Sequence, residues 1–507
     1  MKGLETRIQE IRHRVFREVA RMAYHTEWPV DKRIEELPYK IIPGEIGNFR
    51  YDVFLERAIV GERLRLAMGL PCRDASNQAP LSENIEAADR PETYYTHPLV
   101  NVIKFACNAC AEKRVFVSEG CQGCLAHPCV EVCPTGAVSI NRTGGRSQID
   151  EEKCIKCGQC ARSCPYHAII MQERPCAEAC GVDAIQSDEN GRAHINHEKC
   201  VSCGMCLVNC PFGAIADKSQ IFQVIRAIQS GERVYAAVAP AFVGQFGPKV
   251  TPGKLRAAMK ALGFADVFEV AIGADHCAVQ EAEDFIEEVP EKLPFMATSC
   301  WPAWSMMAKK LFPEQAKCIS MALTPMTLTA RLIKSRHENA KVVFIGPCAA
   351  KKLEAMREDI RSDVDFVLTF EEMDGIFDAR HVDIENIEED PDGVSDASTD
   401  GRNFAVPGGV ATSVVDVIRE RYPDREIKVE HADGLRNCRK LLTLAKSGKY
   451  NGYLLEGMAC PGGCVGGAGT MQPVKKSQMA VNKYAASAGH KTSDETEYVK
   501  ELDKLVE

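Results

Sequence analysis

Apolar side chains recur at three- and four-residue steps near the start of the chain, at Ile8, Ile11, Val15, Phe16, Val19 and Met22. That period places them on one face of a helix, and residues 1 to 98 read as a helical cap or docking region without a chemical signature. The stretch LSENIEAADRPETYYTHP from Leu81 is polar, contains proline and reads as a linker. From about residue 220 the pattern changes to short apolar runs separated by amphipathic helices: VYAAVAPAF, VFEVAI, FMATSC, KVVFIGP, DFVLTF and GYLLEGMAC. Continuous apolar runs of that length suit strands buried on both faces, which predicts an α/β region with its site at strand ends. The acidic, turn-rich EEDPDGVSDASTDGR from Glu388 reads as a surface excursion.

Composition adds little until the cysteines are counted. A chain of 507 residues, 45% of them hydrophobic, has material for two to four domains. Its 62 lysines and arginines against 71 acidic residues give a net charge of -9, with no electrostatic reason to expect nucleic acid or an anionic membrane as partner. The opening MKGLETRIQEIRHRVF lacks the apolar core of a signal peptide, and the apolar runs are too short to span a bilayer, so a cytoplasmic location is expected. The 24 cysteines change the picture: sixteen fall between Cys107 and Cys210, Cys72 precedes them, and seven follow from Cys277 to Cys464. Without an export signal, metal or redox chemistry is favoured over disulfides.

Residues 99 to 219 carry four related units ending CVEVCPTGAV, CARSCPYHAI, CAEACGVDAI and CLVNCPFGAI. Two belong to complete C-x2-C-x2-C-x3-C-P runs, Cys154, Cys157, Cys160, Cys164 and Cys200, Cys203, Cys206, Cys210. Such loops wrap three thiolates around one 4Fe-4S cubane while the fourth cysteine reaches a neighbouring cluster. The first unit, Cys121, Cys124, Cys129 and Cys133, has a longer third gap. By the crossing rule one cluster takes Cys121, Cys124, Cys129 and Cys164, and a second takes Cys133, Cys154, Cys157 and Cys160. The third unit has only Cys176 and Cys180, with Gly181 in place of proline, and looks like a decayed run. If Cys180 joins Cys200, Cys203 and Cys206, then Cys176 and Cys210 need two partners, which Cys107 and Cys110 supply. Zinc would need only two separated C-x2-C pairs, so it competes chiefly for the Cys107/Cys110 pair. The interleaving resembles the four-cluster electron-transfer subunits of molybdopterin oxidoreductases.

Three further motifs sit at expected strand ends: TSCWPAW with Cys300, FIGPCAAKKLE with Cys348, and LLEGMACPGGCVGGAG with Cys460 and Cys464. Together with APAF, GAD, TP, PGGV and HADGLRNCRKLL they resemble the signature segments of the iron-iron (FeFe) hydrogenases, over about residues 220 to 475. The four-cubane domain makes the chain most similar to the group B enzymes. The fold this implies is multidomain α/β: a helical N-terminal region (1–98), a ferredoxin-like α+β iron-sulfur domain (99–219) and a two-lobed α/β catalytic domain with a helical C-terminal tail (220–507). The resemblance implies an H-cluster, a 4Fe-4S cubane joined by a bridging cysteine to a di-iron unit with carbon monoxide, cyanide and azadithiolate ligands. Cys348, Cys460 and Cys464 match three cubane ligands, Cys464 the bridging one; Lys351 matches the lysine that bonds a cyanide, and Met458 a methionine beside the di-iron. Ala239, Pro240, Thr324 and Pro347 fall in the segments that enclose the cofactor.

GADHCAVQEAEDFIEEV reads as a helix with an apolar stripe through Ala278, Ala282, Phe285 and Val289. Glu281 and Asp284 occupy the family's proton-relay carboxylate positions and Ser320 lies near its relay serine. Glu281 borders the stripe and Asp284 lies toward the polar side. Cys72, Cys277, Cys318 and Cys438 have no cluster role, and inert packing is expected of them.

One position departs from the family, which has two adjacent cysteines where this chain has Cys300 and Trp301. The first of the pair relays protons and the second binds the cubane, and tryptophan does not bind iron. Either Cys300 swings over to ligate the cubane and the thiol relay is lost, or a three-cysteine cubane carries another ligand. The first is preferred because an unligated iron is labile, and slow or biased turnover is expected either way. The expected activity is reversible reduction of protons to dihydrogen, with ferredoxin or a similar carrier as electron partner and hydrogenase maturation proteins as loading partners. The alternatives are a hydrogen-sensing homologue of low turnover and an iron-sulfur scaffold without the di-iron unit.

Overall fold

A computed structural model describes residues 6–90, 95–394 and 396–506. Two parallel sheets organise the C-terminal half. One has four strands, in spatial order Asp266–Glu269, Val234–Val238, Lys341–Gly346 and Phe366–Thr369. The other has three, Met296–Ala297, Tyr453–Met458 and Lys428–Asp433. All residues of Val234–Val238 and of Phe366–Thr369 are buried, which is why these strands read as unbroken apolar runs. The edge strand Lys428–Asp433 carries KVEHAD, has no buried residue, and therefore lacks that signal. VFEVAI, read as one strand, divides: the strand ends at Glu269 and an 18-residue helix opens at Ala271.

The N-terminal helices Arg7–Tyr24, Val30–Ile41 and Val53–Ala67 bear out the three- and four-residue period. Thr6 opens the first by a capping box with Gln9. Val15, Phe16, Val19 and Met22 are buried in the same core as the four-stranded sheet, not in a separate one. At Gly375 a Cβ would stand 2.6 Å from Phe16 Cβ, so a missing side chain lets the first helix lie against the helix Phe370–Ala379.

The cysteine-dense segment is built of short antiparallel pairs and one-turn helices. Its first strand, Val100–Val102, pairs with its last, Ile215–Asp217, so it closes on itself before the chain enters the α/β half. The stretch from Leu81 is better anchored than a free linker: Leu81, Ile85, Ala88 and Tyr95 are buried, and Tyr95 Oη donates to the Val367 carbonyl at 2.8 Å, while residues 91–94 lie outside the described ones. The acidic excursion is a surface feature only in its first part. Ala397 and Ser398 are wholly buried, held by bonds to Glu269 and Asp275, and Ser395 lies outside the described residues. Among the described residues no helix is long and apolar enough to cross a membrane.

Candidate metal centres

Four C-x2-C loops in the cysteine domain place their second intervening residue in the left-handed region, Ala109 (φ 46°), Gly123 (59°), Lys156 (56°) and Ser202 (53°), and the other two, Cys157–Cys160 and Cys203–Cys206, place their first there, Gly158 (74°) and Gly204 (76°). Each unit's closing cysteine is followed three residues later by another such residue, Gly136, His167, Asp183 or Gly213. That turn aims the next amide back at the sulfur: Ala137 donates to Cys133 Sγ at 3.2 Å, Ala168 to Cys164 at 3.4 Å, Ala184 to Cys180 at 3.3 Å and Ala214 to Cys210 at 3.4 Å. Amides pointed at sulfur stabilise thiolate and raise the potential of a cluster bound there. The third unit keeps this geometry without its proline. A Cβ at Gly181 would lie 2.4 Å from Leu435 Cβ, so glycine stands there because a helix of the α/β half (Leu435–Lys446) packs on the turn.

Cysteines distant in sequence converge. Cys107, Cys110, Cys176 and Cys210 line one cavity of about 330 Å³. Cys133, Cys154, Cys157 and Cys160 line another of about 300 Å³. Ser147 joins two more, its amide donating to Cys121 Sγ at 3.4 Å and its hydroxyl 3.5 Å from Cys129 Sγ. Burial raises the Cys206 thiol well above its ordinary value, and the nearby Cys203, Cys200 and Cys180 raise it further. A set of mutually repelling thiols around an apolar void suits a positively charged metal core, and these residues fit 4Fe-4S clusters.

The last of these groups abuts the α/β half. Burial pushes Cys203 up to about 12, and its charged neighbours include Cys348 as well as Cys180 and Cys200. A Cβ on Gly204 would lie 2.6 Å from Ala468 Cβ and 3.2 Å from Ala349 Cβ, so the bare backbone makes the junction close.

Beyond that junction is a cavity of about 570 Å³. It lies at the carboxyl ends of both sheets: Ala239 and Pro240 follow Val234–Val238, Cys300 follows Met296–Ala297, and Pro347 and Cys348 follow Lys341–Gly346. Trp301, Lys351 and Cys464 complete its chemically distinctive wall; Val270, Ala271, Ala274, Phe344, Phe404 and Ala405 make the rest apolar. None of those six could be picked out in sequence, since an alanine or phenylalanine facing a cofactor looks like one facing a core. Thiols for iron, one ammonium for anionic ligands and a dry wall fit an H-cluster.

Lys351 Nζ donates to Glu354 Oε2 at 2.6 Å and Thr324 Oγ1 at 3.2 Å. Thr324 therefore holds the lysine from behind, while its neighbours Pro325 and Met326 line the cavity. Glu354 escaped the sequence reading, although its three-residue offset from Lys351 is a signal for it. Met458 ends the strand Tyr453–Met458, is 1% exposed and does not line the cavity; Cys460, two residues on, is buried. Glu456 accepts amides of Gly408 and Ala411, both at 2.8 Å, and so fixes the start of the helix Gly409–Arg421 against that strand.

The stripe Ala278, Ala282, Phe285 and Val289 is buried as expected, but Glu281, beside it, is also wholly buried. Its carboxylate accepts from the Ser299 amide at 2.8 Å and the Ser299 hydroxyl at 3.2 Å. Burial nevertheless pushes it up to about 7, against the opposing pull of Ser299 and Ser320. Asp284, expected on the polar side, is half-buried, and burial followed by repulsion from Glu288, Glu287 and Glu283 raises it to about 6. Cys300 is 6% exposed; burial drives its thiol far up, with Glu281 its strongest charged neighbour and Cys277 the next. Trp301 Nε1 donates to Cys464 Sγ at 3.2 Å. Of the cysteines without a cluster role, Cys277, Cys318 and Cys438 are buried, and Cys438 Sγ donates to the Met458 carbonyl at 3.3 Å.

Residues 232–468 match the family described as iron only hydrogenase large subunit, C-terminal domain, and residues 120–168 and 153–214 match the 4Fe-4S dicluster domain. The periplasmic Fe hydrogenase large subunit of Nitratidesulfovibrio vulgaris is 31% identical over 382 residues, 64% of this chain and 86% of that protein. The NADP-reducing hydrogenase subunit HndD of Solidesulfovibrio fructosivorans is 28% identical over 405 residues, 69% of this chain, which spans 62% of that subunit's length. The cytosolic iron-sulfur assembly component 3 of Bos taurus is 26% identical over 284 residues, 45% of this chain and 59% of that protein.

Proposed function

The chain belongs to the iron-iron hydrogenase family, and from that premise we propose that it reversibly reduces protons to dihydrogen at an H-cluster fed by four 4Fe-4S clusters, with ferredoxin or a similar carrier as electron donor. The observation that carries this reading is the convergence of Cys300, Cys348, Cys464 and Lys351 on one apolar cavity, with Cys203 and Gly204 of the cysteine domain against its Cys348 side. When bound, the H-cluster supplies a redox-active di-iron unit with an open coordination position. Cys300, Cys348, Cys460 and Cys464 would hold its cubane, with Cys464 bridging. Lys351, oriented by Glu354 and Thr324, would hold a cyanide ligand.

The protein's own task is to deliver protons and exclude bulk water. A carboxyl poised at about 7 exchanges protons readily at neutral pH, and Glu281 lies between half-buried Asp284 and the Cys300 end of the cavity. Asp284 takes a proton near the surface, Glu281 carries it inward, and Ser299 and Ser320 hold the carrier in place. The four cysteine groups pass electrons toward Cys348, from the exposed Cys157 group inward.

A second reading, an iron-sulfur scaffold without the di-iron unit, draws on the similarity to the assembly component and on Trp301 standing at a ligand position. Infrared spectroscopy after anaerobic maturation separates the two. Iron-bound carbon monoxide and cyanide bands, with about 22 irons per chain, are expected of the hydrogenase. Their absence would rule out both a hydrogenase and a hydrogen sensor and leave the scaffold. Replacing Cys300 by alanine assigns that residue: loss of the bands makes it a ligand, and loss of turnover with the bands intact makes it a relay.

A further inference from the structure

Trp301 is more constrained than a space-filling side chain. Pro302 follows it and restricts its backbone to the extended region, where it is found (φ -109°, ψ 106°). Its carbonyl accepts from the Trp304 amide at 3.0 Å, the Ser305 amide at 3.1 Å and the Ser305 hydroxyl at 3.3 Å, opening the helix Pro302–Leu311. The Ser305 hydroxyl also reaches the Ser299 carbonyl at 3.1 Å, tying both ends of the Cys300 segment to the same helix. The indole is thus aimed by its own backbone, and it ends with Nε1–H on Cys464 Sγ at 3.2 Å, in the cavity wall.

An indole N–H is a donor and nothing else. It cannot be switched off by protonation, and left without an acceptor at 6% exposure it would be costly. Phenylalanine would fill the same space without that demand. A thiolate that bridges two metal sites keeps one lone pair, so it still has room for one hydrogen bond. Donation to it withdraws electron density from the sulfur and favours the reduced state of the metals it binds.

We propose, on the hydrogenase reading above, that Trp301 is a positioning residue whose indole permanently hydrogen-bonds the Cys464 thiolate, raises the reduction potential of the H-cluster and biases the enzyme toward dihydrogen oxidation. The chain has exchanged a thiol at this position for a fixed donor. The effect is local, because the hydrogen bonds to the closing cysteines of the cysteine domain come from backbone amides of that domain, which this exchange leaves untouched.

The test uses the matured full chain labelled with 15N-tryptophan. Electron-nuclear double resonance on the enzyme poised with its four other clusters oxidised and the H-cluster paramagnetic is expected to show an exchangeable proton and a 15N nucleus coupled to the H-cluster, both absent in Trp301→Phe. Infrared-monitored titration of Trp301→Phe is expected to give carbonyl bands at lower frequency. At fixed ambient potential its reduced-to-oxidised ratio should fall about tenfold, equivalent to about 59 mV for one electron. Trp301→His, which restores a ring N–H, should recover part of the shift, and the potentials of the other clusters should not move. Coupling absent from the parent, or a Trp301→Phe potential equal to the parent's, overturns the proposal. If Trp301→Phe does not mature, the labelled parent decides alone. A parent without carbonyl bands fails the hydrogenase reading itself; a parent with bands but no indole coupling fails this inference only.

Discussion

The cysteine domain and the large cavity at the sheet ends both gather cysteines around a void, but they assemble those thiols in opposite ways. In the domain, three ligands of a cluster come from one loop, as Cys154, Cys157 and Cys160 do, and a repeated left-handed turn supplies the hydrogen bond to each closing cysteine. In the cavity, Cys300, Cys348 and Cys464 arrive from three different strand ends in two sheets, and the hydrogen bond to Cys464 comes from a side chain. The first arrangement depends on local backbone conformation. The second depends on the packing of two whole lobes, so it is open to perturbation from far away.

The sharpest way to break the contrast is to remove one thiol from each. Cys348→Ala is expected to abolish the carbonyl and cyanide bands while leaving about 16 irons in the other clusters. Cys157→Ala should cost about 4 irons and leave the bands in place. Coupled loss in either variant, read by iron analysis and infrared together, would show that the two regions load as one unit. Next in size is the proposed proton route through Glu281, on the cavity side. Glu281→Gln keeps the shape and loses the exchangeable proton, so turnover should fall by about 10²- to 10⁴-fold with bands intact. Unchanged hydrogen evolution would mean protons enter elsewhere.

The smallest effect concerns the scaffold around the cavity. Asp275 accepts from the Ser398 amide at 3.0 Å and the Ser493 hydroxyl at 3.1 Å, and burial pushes it up to about 7. A carboxyl whose folded value is raised favours the protonated folded state. Stability from Asp275 is therefore fully present below about pH 4 and declines as pH rises through about 7, by a few kcal/mol in total. Asp275→Asn should flatten that decline by about one proton's worth, seen in chemical denaturation of the α/β half at pH 5 and pH 8. Cluster content of the cysteine domain should not respond. An unaltered slope would mean the site is wetter than its burial suggests.

The same contrast explains what could be read from the sequence. Cysteines in spaced runs carry partners in their spacing: the cavity lined by Cys133, Cys154, Cys157 and Cys160 groups them as the crossing rule does, and the one lined by Cys107, Cys110, Cys176 and Cys210 groups the set that was reached only by matching leftover cysteines to a spare pair. Gly181 misled because its reason lies 254 positions away, at Leu435. The apolar strands announced themselves; Lys428–Asp433 did not, since its stability comes from pairing with Tyr453–Met458 and not from burial. Cys300, Cys348 and Cys464 were recognisable only through their family resemblance. Glu281 was placed only at the border of the apolar stripe, and of the cavity's wall only Ala239, Pro240 and Pro347 were named; Val270, Ala271, Ala274, Phe344, Phe404 and Ala405 were not legible, because their facing depends on where the two sheets meet.

The left-handed turns have a consequence for the life of the protein in the cell. Six of the residues that adopt them in the cysteine domain, Ala109, His127, Lys156, His167, Asp183 and Ser202, are not glycine. Each conformation costs on the order of 1 kcal/mol, which bound metal would help to offset. A chain made during iron starvation is therefore expected to hold this domain closed less firmly than the loaded chain, and proteases cleave what opens. Iron supply is then expected to set how many molecules survive as well as how many are loaded, and limited proteolysis of iron-free against iron-loaded chain checks it.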